Sequence, residues 1–387
     1  MRAADQIIDI GPEAGVKGGE LLFQGTIQEL ISHGTTHTAK YLRGEEKIFT
    51  KTGNRSWKDS IWVKGARENN LQNLTVQFPL HTLTVITGVS GSGKSTLVKK
   101  ILYPALGRML GTVMDEAGKY DKLEGDYKKV TQVEFVDQNP IGKSSRSNPV
   151  TYVKAYDVIR TLFSEQPLSK QRGYKPAFFS FNVDGGRCEA CQGEGNVTVE
   201  MQFMADIHLT CESCKGKRFK NEILEVTYKD KHISEVLDMT IDEAIDFFAG
   251  KTQIINRLQP LQEVGLGYIG MGQSSNTLSG GEAQRVKLAS FLGKGGAKNG
   301  DHILFIFDEP TTGLHFHDIS KLLHSINALI EQGHSVLIIE HNTEVIKCAD
   351  WVIDLGPEGG NKGGNLTFAG TPEDLAKEKG NFTGKYL

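Results

Sequence analysis

The chain has 387 residues, with 44 Lys and Arg against 47 Asp and Glu and a net charge of −3. That length holds two or three domain-sized units, and the charge balance excludes a globally basic nucleic-acid binder, so any basic surface must be local. No apolar run reaches bilayer length and the N-terminus lacks a signal-peptide core, which predicts a cytoplasmic protein with no membrane partner; in that setting four of the five cysteines, arranged as two C-x-x-C pairs, favour metal over disulfide.

Residues 4–42 realign with residues 349–387. The first copy runs ADQIIDIGPEAGVKGGELLFQGT and ends TAKYL; the second runs ADWVIDLGPEGGNKGGNLTFAGT and ends TGKYL, with 20 of the 39 aligned positions identical. No further copy lies between them, as a solenoid would require. The segment therefore closes a larger domain. Residues 1–43 are the tail of a preceding domain, 44–59 a polar linker, and 60–387 one complete domain. A tandem copy of a small β-rich module is the other reading.

Residues 83–87 (LTVIT) form a buried strand that enters Gly88-Val-Ser90-Gly91-Ser-Gly93-Lys94-Ser95-Thr96, followed by an apolar, helix-like run to Leu102. This is a P-loop in its strand–loop–helix context. Its glycines turn backbone N–H groups towards phosphate and the helix offers its N-terminus to the anion. Lys94 is placed to reach the β- and γ-phosphates of ATP, and Ser95 to ligate Mg²⁺.

Further on, residues 140–176 carry Lys143, Arg146, Lys154, Arg160, Lys170, Arg172 and Lys175 against Asp157 and Glu165. A second basic run, Lys215, Lys217, Arg218 and Lys220, follows the last C-x-x-C pair. The pattern suits a phosphate-backbone surface or simply a solvated face. Phe178, Phe179 and Phe181 read as core residues. Cys188-x-x-Cys191 and Cys211-x-x-Cys214 have structural-zinc spacing, and Gly193 and Gly216 stand where a knuckle turn takes positive φ. Four thiolates fill a tetrahedral Zn²⁺ shell, so the metal would stabilise rather than catalyse; redox cysteines are the rival reading. The intervening NVTVEMQFMADIHLT alternates as a hairpin does. Cys348 stands apart as a helix residue.

Ile303–Phe307 is an apolar run ending in Asp308-Glu309, the form of a central parallel strand. Asp308 would orient Mg²⁺ and Glu309 would polarise the attacking water. Upstream, Leu278-Ser279-Gly280-Gly281-Glu-Ala-Gln-Arg285 resembles the signature of ABC ATPases, and the order P-loop, signature, Asp-Glu is that family's order. The resemblance implies that Gln138, after the apolar stretch Val133–Val136, is the Q-loop glutamine. It implies that His341, after Val336–Ile339, is the switch histidine contacting the γ-phosphate, and that Thr311–His315 is the D-loop. It also implies that Ser279, Gly280 and Gly281 cap the γ-phosphate held by an opposing head.

A cassette with a zinc insertion resembles, more narrowly, the UvrA family, the damage-recognition subunits of bacterial nucleotide excision repair. The matching stretches are ARENNLQNL at 66–74, DQNPIGKSSRSNPVTY at 137–152, RGYKPAFFSFNVDGGRCEACQGEG at 172–195, DMTIDEAIDFF at 238–248 and GLHFHDISKLL at 313–323. The resemblance implies an α/β fold: a P-loop ABC ATPase head with a helical signature subdomain and an insertion at about 140–277, whose zinc module spans about 186–220. It implies ATP-dependent binding of damaged double-stranded DNA, with ATP, Mg²⁺ and Zn²⁺ as cofactors. A second ABC head would complete the composite sites, supplied by a first half or by a second copy. The family's UvrB partner is implied as well, although its docking region lies outside these residues. A UvrA-like paralogue that protects a producer from DNA-binding antibiotics would carry the same motifs, as would a DNA-binding fragment with little turnover.

Overall fold

A computed structural model describes residues 3–48, 53–142, 146–199, 201, 207–293 and 301–387. The chain divides into two compact units. The first comprises residues 1–12, 20–137 and 294–387, the second residues 13–19 and 138–293.

The first unit is built on a six-stranded sheet in the order Asn365–Gly370, Trp351–Gly356, Leu83–Gly88, Ser335–Ile339, Ile303–Asp308, Gln132–Val136. Every neighbouring pair is parallel except the first, which is an antiparallel hairpin. Leu83–Gly88 and Ser335–Ile339 are buried along their whole length. Continuous apolar runs are what a parallel sheet covered on both faces demands. A three-stranded antiparallel sheet, with Ser60–Ala66 between Leu74–Pro79 and Lys122–Gly125, shares one apolar core with it; Ile61, Phe78, Ile86, Leu97 and Ile306 lie in that cluster. The run after the P-loop, expected as a helix, is wound as a π-helix over Thr96–Leu102 and continues as an α-helix over Tyr103–Met109. Its buried residues Leu97, Val98, Ile101 and Leu102 anchor it to the core.

The two repeat copies fold alike. Ile7–Gly11 pairs with Glu20–Gly25 as Trp351–Gly356 pairs with Asn365–Gly370, and both hairpins break register at the same step, Asp9/Ile10 and Asp354/Leu355. They differ in their neighbours. The second hairpin adds to the sheet through Leu83–Gly88, whereas the first forms a two-stranded sheet.

The second unit is mostly helical. Ala155–Ser164 and the signature helix Gly280–Leu292 both pack on Thr252–Glu263. The cysteine module carries the expected hairpin, with Asn196–Val199 antiparallel to Ile207–Thr210; its connection at 200 and 202–206 lies outside the described residues, as does Lys143.

Candidate nucleotide site and metal centre

Lys94 Nζ donates to Gly88 O and Val89 O, each at 2.9 Å. Burial lowers the Lys94 pKa, against the pull of Glu309 and Asp354. Gly88 has φ +127, and a Cβ there would lie 2.0 Å from Leu355 O in the neighbouring strand, so no side chain fits. At the end of Ile303–Asp308, Lys99 Nζ lies 2.5 Å from Asp308 Oδ2. Lys94 and Asp308, two of the candidate site's charges, are thus held by the loop's own carbonyls and by a neighbouring lysine.

Glu309 occupies a left-handed conformation, φ 45, unusual for a residue with a side chain and a form of strain that clusters at functional sites. Its N–H donates to Ile339 O at 2.9 Å, which ties it to the strand preceding His341. Glu309 Oε1 stands 3.7 Å from His341 Nε2, with both side chains about half exposed. Burial, then the charge of Lys94, holds the His341 pKa below its usual value. The imidazole is therefore neutral at pH 7 and available as a hydrogen-bond partner. Glu340 organises both sides of this pair. Nearly inaccessible, it accepts from Thr311 N at 3.0 Å, from the Thr311 hydroxyl, from His341 N at 2.7 Å and from Asn342 N at 2.9 Å. One carboxylate thus fixes the start of the D-loop stretch and the histidine backbone. Sequence reading missed it, because one Glu beside a motif carries no spacing signal.

The repeated segment has a function that the sequence did not show. Its loop Glu358–Gly364 lies against the P-loop: Gly360 N donates to Gly91 O at 3.1 Å and Gly364 N to Ser92 O at 3.2 Å. Asn70 Nδ2 bridges Gly91 O and Gly360 O at 2.9 and 3.0 Å. The glycines of GPEGGNKGG permit this closeness; a Cβ on Gly364 would meet Asn70 O at 1.8 Å.

The second unit holds Gln138 and the signature. Ser279 caps the helix Gly280–Leu292 in a capping box with Glu282, Ser279 Oγ accepting from Glu282 N at 3.3 Å and Ser279 N donating to Glu282 Oε2 at 2.7 Å. The first N–H groups of that helix are orphaned donors of the kind that bind anions. Gln138 packs on Gly280, where an added Cβ would lie 3.0 Å from the glutamine Cβ and Oε1. Tyr268 OH donates to Glu282 Oε1 at 2.6 Å; burial, then this contact, pushes its pKa up to about 12. Against Tyr268 lies Gly15, whose added Cβ would be 3.2 Å from the tyrosine Cβ. Gly15 is the first-copy equivalent of Gly360, so the loop that buttresses the P-loop in one copy lies next to the signature helix in the other.

The four cysteines meet in one buried cluster with every Sγ within 4.8 Å of the others. Cys188 and Cys211 Sγ are 4.0 Å apart, and Cys191 and Cys214 Sγ 3.6 Å. A disulfide needs about 2.05 Å, whereas tetrahedral Zn–S bonds of about 2.3 Å place sulfurs about 3.8 Å apart. The spacing fits the metal, and none of the four is in a disulfide. Gly193 and Gly216 adopt φ 84 and φ 83, as the knuckles require. Burial pushes Cys214 up to about 12, while backbone N–H groups, Cys214's foremost, bring Cys211 down to about 7. Four thiolates crowded in this way are stable together only around a cation.

The basic residues divide into three groups, paired, half-buried and exposed; Arg146 belongs to the first, its Nε 3.9 Å from Glu194 Oε1. Arg160, Arg172 and Lys220 pair with Asp157, Glu225 and Glu189. Arg218 is half-buried, donating to Gly272 O over the Phe181 ring. Lys154, Lys170, Lys175, Lys215 and Lys217 are exposed. Phe179 and Phe181 are fully buried, as read from the sequence, whereas Phe178 is only partly buried, stacked on Tyr174 with ring centroids 5.0 Å apart. Cys348 is a buried helix residue.

No family model matches the chain. UvrABC system protein A of Clostridium perfringens (strain 13 / Type A) is 52% identical over 388 residues, covering all of this chain and 41% of that protein. The Aquifex aeolicus protein of that name is 50% identical, with all of this chain and 42% of the relative covered, and the Thermus thermophilus protein is 50% identical with 100% and 40% covered. The chain thus spans about two fifths of the length of the curated relatives it matches. Among solved structures, that of UvrA2 from Deinococcus radiodurans superimposes with a TM-score of 0.91 at 44% identity, over 100% of this chain and 46% of that one. The α/β cassette architecture expected from the motifs is the one observed.

Proposed function

We propose that this chain, similar to UvrABC system protein A along its whole length, is the ATP-hydrolysing and DNA-contacting half of a UvrA-type damage sensor that acts in nucleotide excision repair in the cytoplasm. Residues 1–43 act as the tail of a preceding head, and residues 60–387 as a head of its own. Gly88, Ser90, Gly91, Gly93, Lys94, Ser95 and Thr96 cradle the phosphates of ATP, and Ser95 and Asp308 hold Mg²⁺. Glu309 polarises the attacking water. His341 and Gln138 read the γ-phosphate. Lys94, whose ammonium lies at the Gly88 and Val89 carbonyls, would neutralise phosphate charge there. Phosphoryl transfer needs positioning and charge neutralisation above all, and these groups supply both.

The observation that carries this reading is the Glu309–His341 pair, set by Glu340 at the end of the P-loop sheet. The contact of Gly15 with the tyrosine that braces the signature helix supports a composite arrangement. In it, Ser279, Gly280 and Gly281 serve a P-loop presented by a second ABC head. No helix among the described residues is long and apolar enough to cross a membrane. Exposed Lys154, Lys170, Lys175, Lys215 and Lys217 support contacts to the backbone of damaged duplex DNA, where lesions of varied chemistry share altered deformability. The Cys188, Cys191, Cys211 and Cys214 cluster holds Zn²⁺ as a structural staple of that surface, and a UvrB-like partner would join through the rest of the assembly. The test is ATPase activity of the purified chain against its own concentration, with and without damaged duplex. Steep concentration dependence, abolished in Glu309→Gln, supports composite sites formed by copies of this chain. Turnover that stays absent after a first-half UvrA polypeptide is added would overturn the ATPase assignment.

A further inference from the structure

Outside the nucleotide and cysteine sites, a third group of metal-ligating side chains converges in the first unit. His37 opens the helix His37–Arg43 behind the Thr36 cap. Gly44, at φ 77, turns the chain back, and the N–H groups of Glu45 and Glu46 donate to Lys40 O at 3.0 and 3.3 Å, which brings Glu46 beside His37. His317 comes from the first turn of the helix Phe316–Glu331. One donor atom from each of His37, Glu46 and His317 lies within 4.8 Å of the other two. His37 Nδ1 is 2.9 Å from Glu46 Oε2, and the two imidazoles stack with centroids 4.6 Å apart at 24°.

We propose that His37, Glu46 and His317 bind one borderline divalent cation of the Zn²⁺, Co²⁺ or Ni²⁺ class, which staples residues 37–46, spanning the start of the linker, to the helix Phe316–Glu331. Two imidazoles and a carboxylate are a donor set such ions favour, whereas Mg²⁺ and Ca²⁺ take oxygen ligands. With bonds of about 2.1 Å, tetrahedral donors stand about 3.4 Å apart, which small rotamer adjustments reach from the observed spacing. Coordination through His37 Nδ1, the nitrogen that faces Glu46, leaves the ring proton on Nε2. Lys40 Nζ, 3.5 Å from Glu46 Oε1, is the competitor the ion displaces. The His37 and Glu46 side chains are 44% and 28% exposed, so solvent water fills the remaining position.

An adjoining network orients the site. His315 Nδ1 accepts from His317 N at 3.2 Å, which places its proton on Nε2; that proton points to Thr38 Oγ1 at 3.0 Å, and Thr38 donates to Asp9 Oδ1 at 3.1 Å. Hydrogen-bonded neighbours of this kind fix ligand orientation in metal sites.

The experiment titrates Co²⁺ into tag-free chain whose cysteine cluster has been loaded with Zn²⁺, following visible absorption and heat. One added equivalent is expected, with the weak bands of nitrogen and oxygen coordination and without the thiolate-to-cobalt charge-transfer band that would report the cysteines. His37→Ala/His317→Ala should abolish that equivalent with the far-UV dichroism unchanged, and Glu46→Gln should weaken it at least tenfold. His317→Gln, a single change at a half-buried position, serves should the double variant not fold. Absence of an added equivalent in the unaltered chain, or its persistence in these variants, overturns the proposal. A Co²⁺-dependent rise in Tm confined to the unaltered chain supports it.

Discussion

Ile8 and Ile353 hold the same position in two copies of one sequence segment, yet Ile8 is 62% exposed and Ile353 is fully buried. The same contrast separates Ile10, 64% exposed, from Leu355. The hairpins are alike, so the difference lies in the neighbour: Ile353 pairs with Ile86 in the P-loop strand. Large-to-small changes in a core cost about 2–5 kcal/mol, while exposed positions stay within about 0.5 kcal/mol. Ile353→Ala is expected to lower the urea midpoint markedly, and Ile8→Ala to leave it unchanged. Equal losses in the two variants would show that Ile8 is covered in solution.

The same pairing of copies isolates the loop under the P-loop. Gly364 and Gly19 correspond, with φ +80 and φ +84, but only Gly364 has a backbone oxygen where its Cβ would go. Gly19→Ala is expected to cost only the left-handed strain of about 1–2 kcal/mol. Gly364→Ala should in addition displace Asn70 and the Gly91 turn, so ATP affinity falls with stability. Titration of a fluorescent ATP analogue against both variants checks this.

Glu309 and Glu340 separate chemistry from positioning. Glu309→Gln is expected to keep ATP affinity within about twofold and to cut turnover by about 100-fold or more, the scale for loss of one preorganised polar group at a reacting centre. Glu340→Gln offers an amide where His341 N, Asn342 N and Thr311 N all need an acceptor, so it should lower both turnover and Tm. Equal Tm in the two variants would remove the positioning role of Glu340.

Removal of metal should unfold the cysteine module and leave the P-loop sheet, because that sheet has its own apolar core. Chelation at pH 7 is expected to release one Zn²⁺ from the cysteines and to lower Tm. Cys211→Ser should bind zinc at least tenfold more weakly, as assayed by competition with a chromophoric chelator. Acidification should release the ion as protons compete for the thiolates.

His302 predicts a pH dependence of folding. Burial holds its pKa down at about 4, its ring stacks on His81 at 4.1 Å, and its buried Nδ1 has no hydrogen-bond partner among the described residues. The unfolded chain has the ordinary histidine value of about 6.5. As pH falls from about 6.5 to 4, the unfolded state takes up a proton that the folded state refuses, so stability declines across that window and is unaffected above it. His302→Asn should flatten the part of the slope due to this group, measured as urea midpoints between pH 7.5 and 4.5.

The elements that carry the proposed phosphate site were legible because they follow one another locally in the chain. A strand, a glycine turn and a helix N-terminus are consecutive in the chain, so Gly88 to Thr96 could be placed without tertiary information, and so could Asp308 and Glu309 after their apolar strand. The meeting of the four cysteines was legible for the same reason, each pair being local and each knuckle glycine adjacent. The repeat was legible as a repeat, but its purpose was not. That Glu358–Gly364 supports the P-loop while Glu13–Gly19 lies beside Tyr268 depends on contacts between residues up to about 290 positions apart, and sequence spacing carries no record of those. Glu340, the Lys99–Asp308 ion pair and the meeting of His37, Glu46 and His317 belong to the same class: unremarkable side chains made consequential by the fold. The contrast between Ile8 and Ile353 is the plainest case, since identical residues in matching sequence have opposite burial, and only the strand beside them decides which is core.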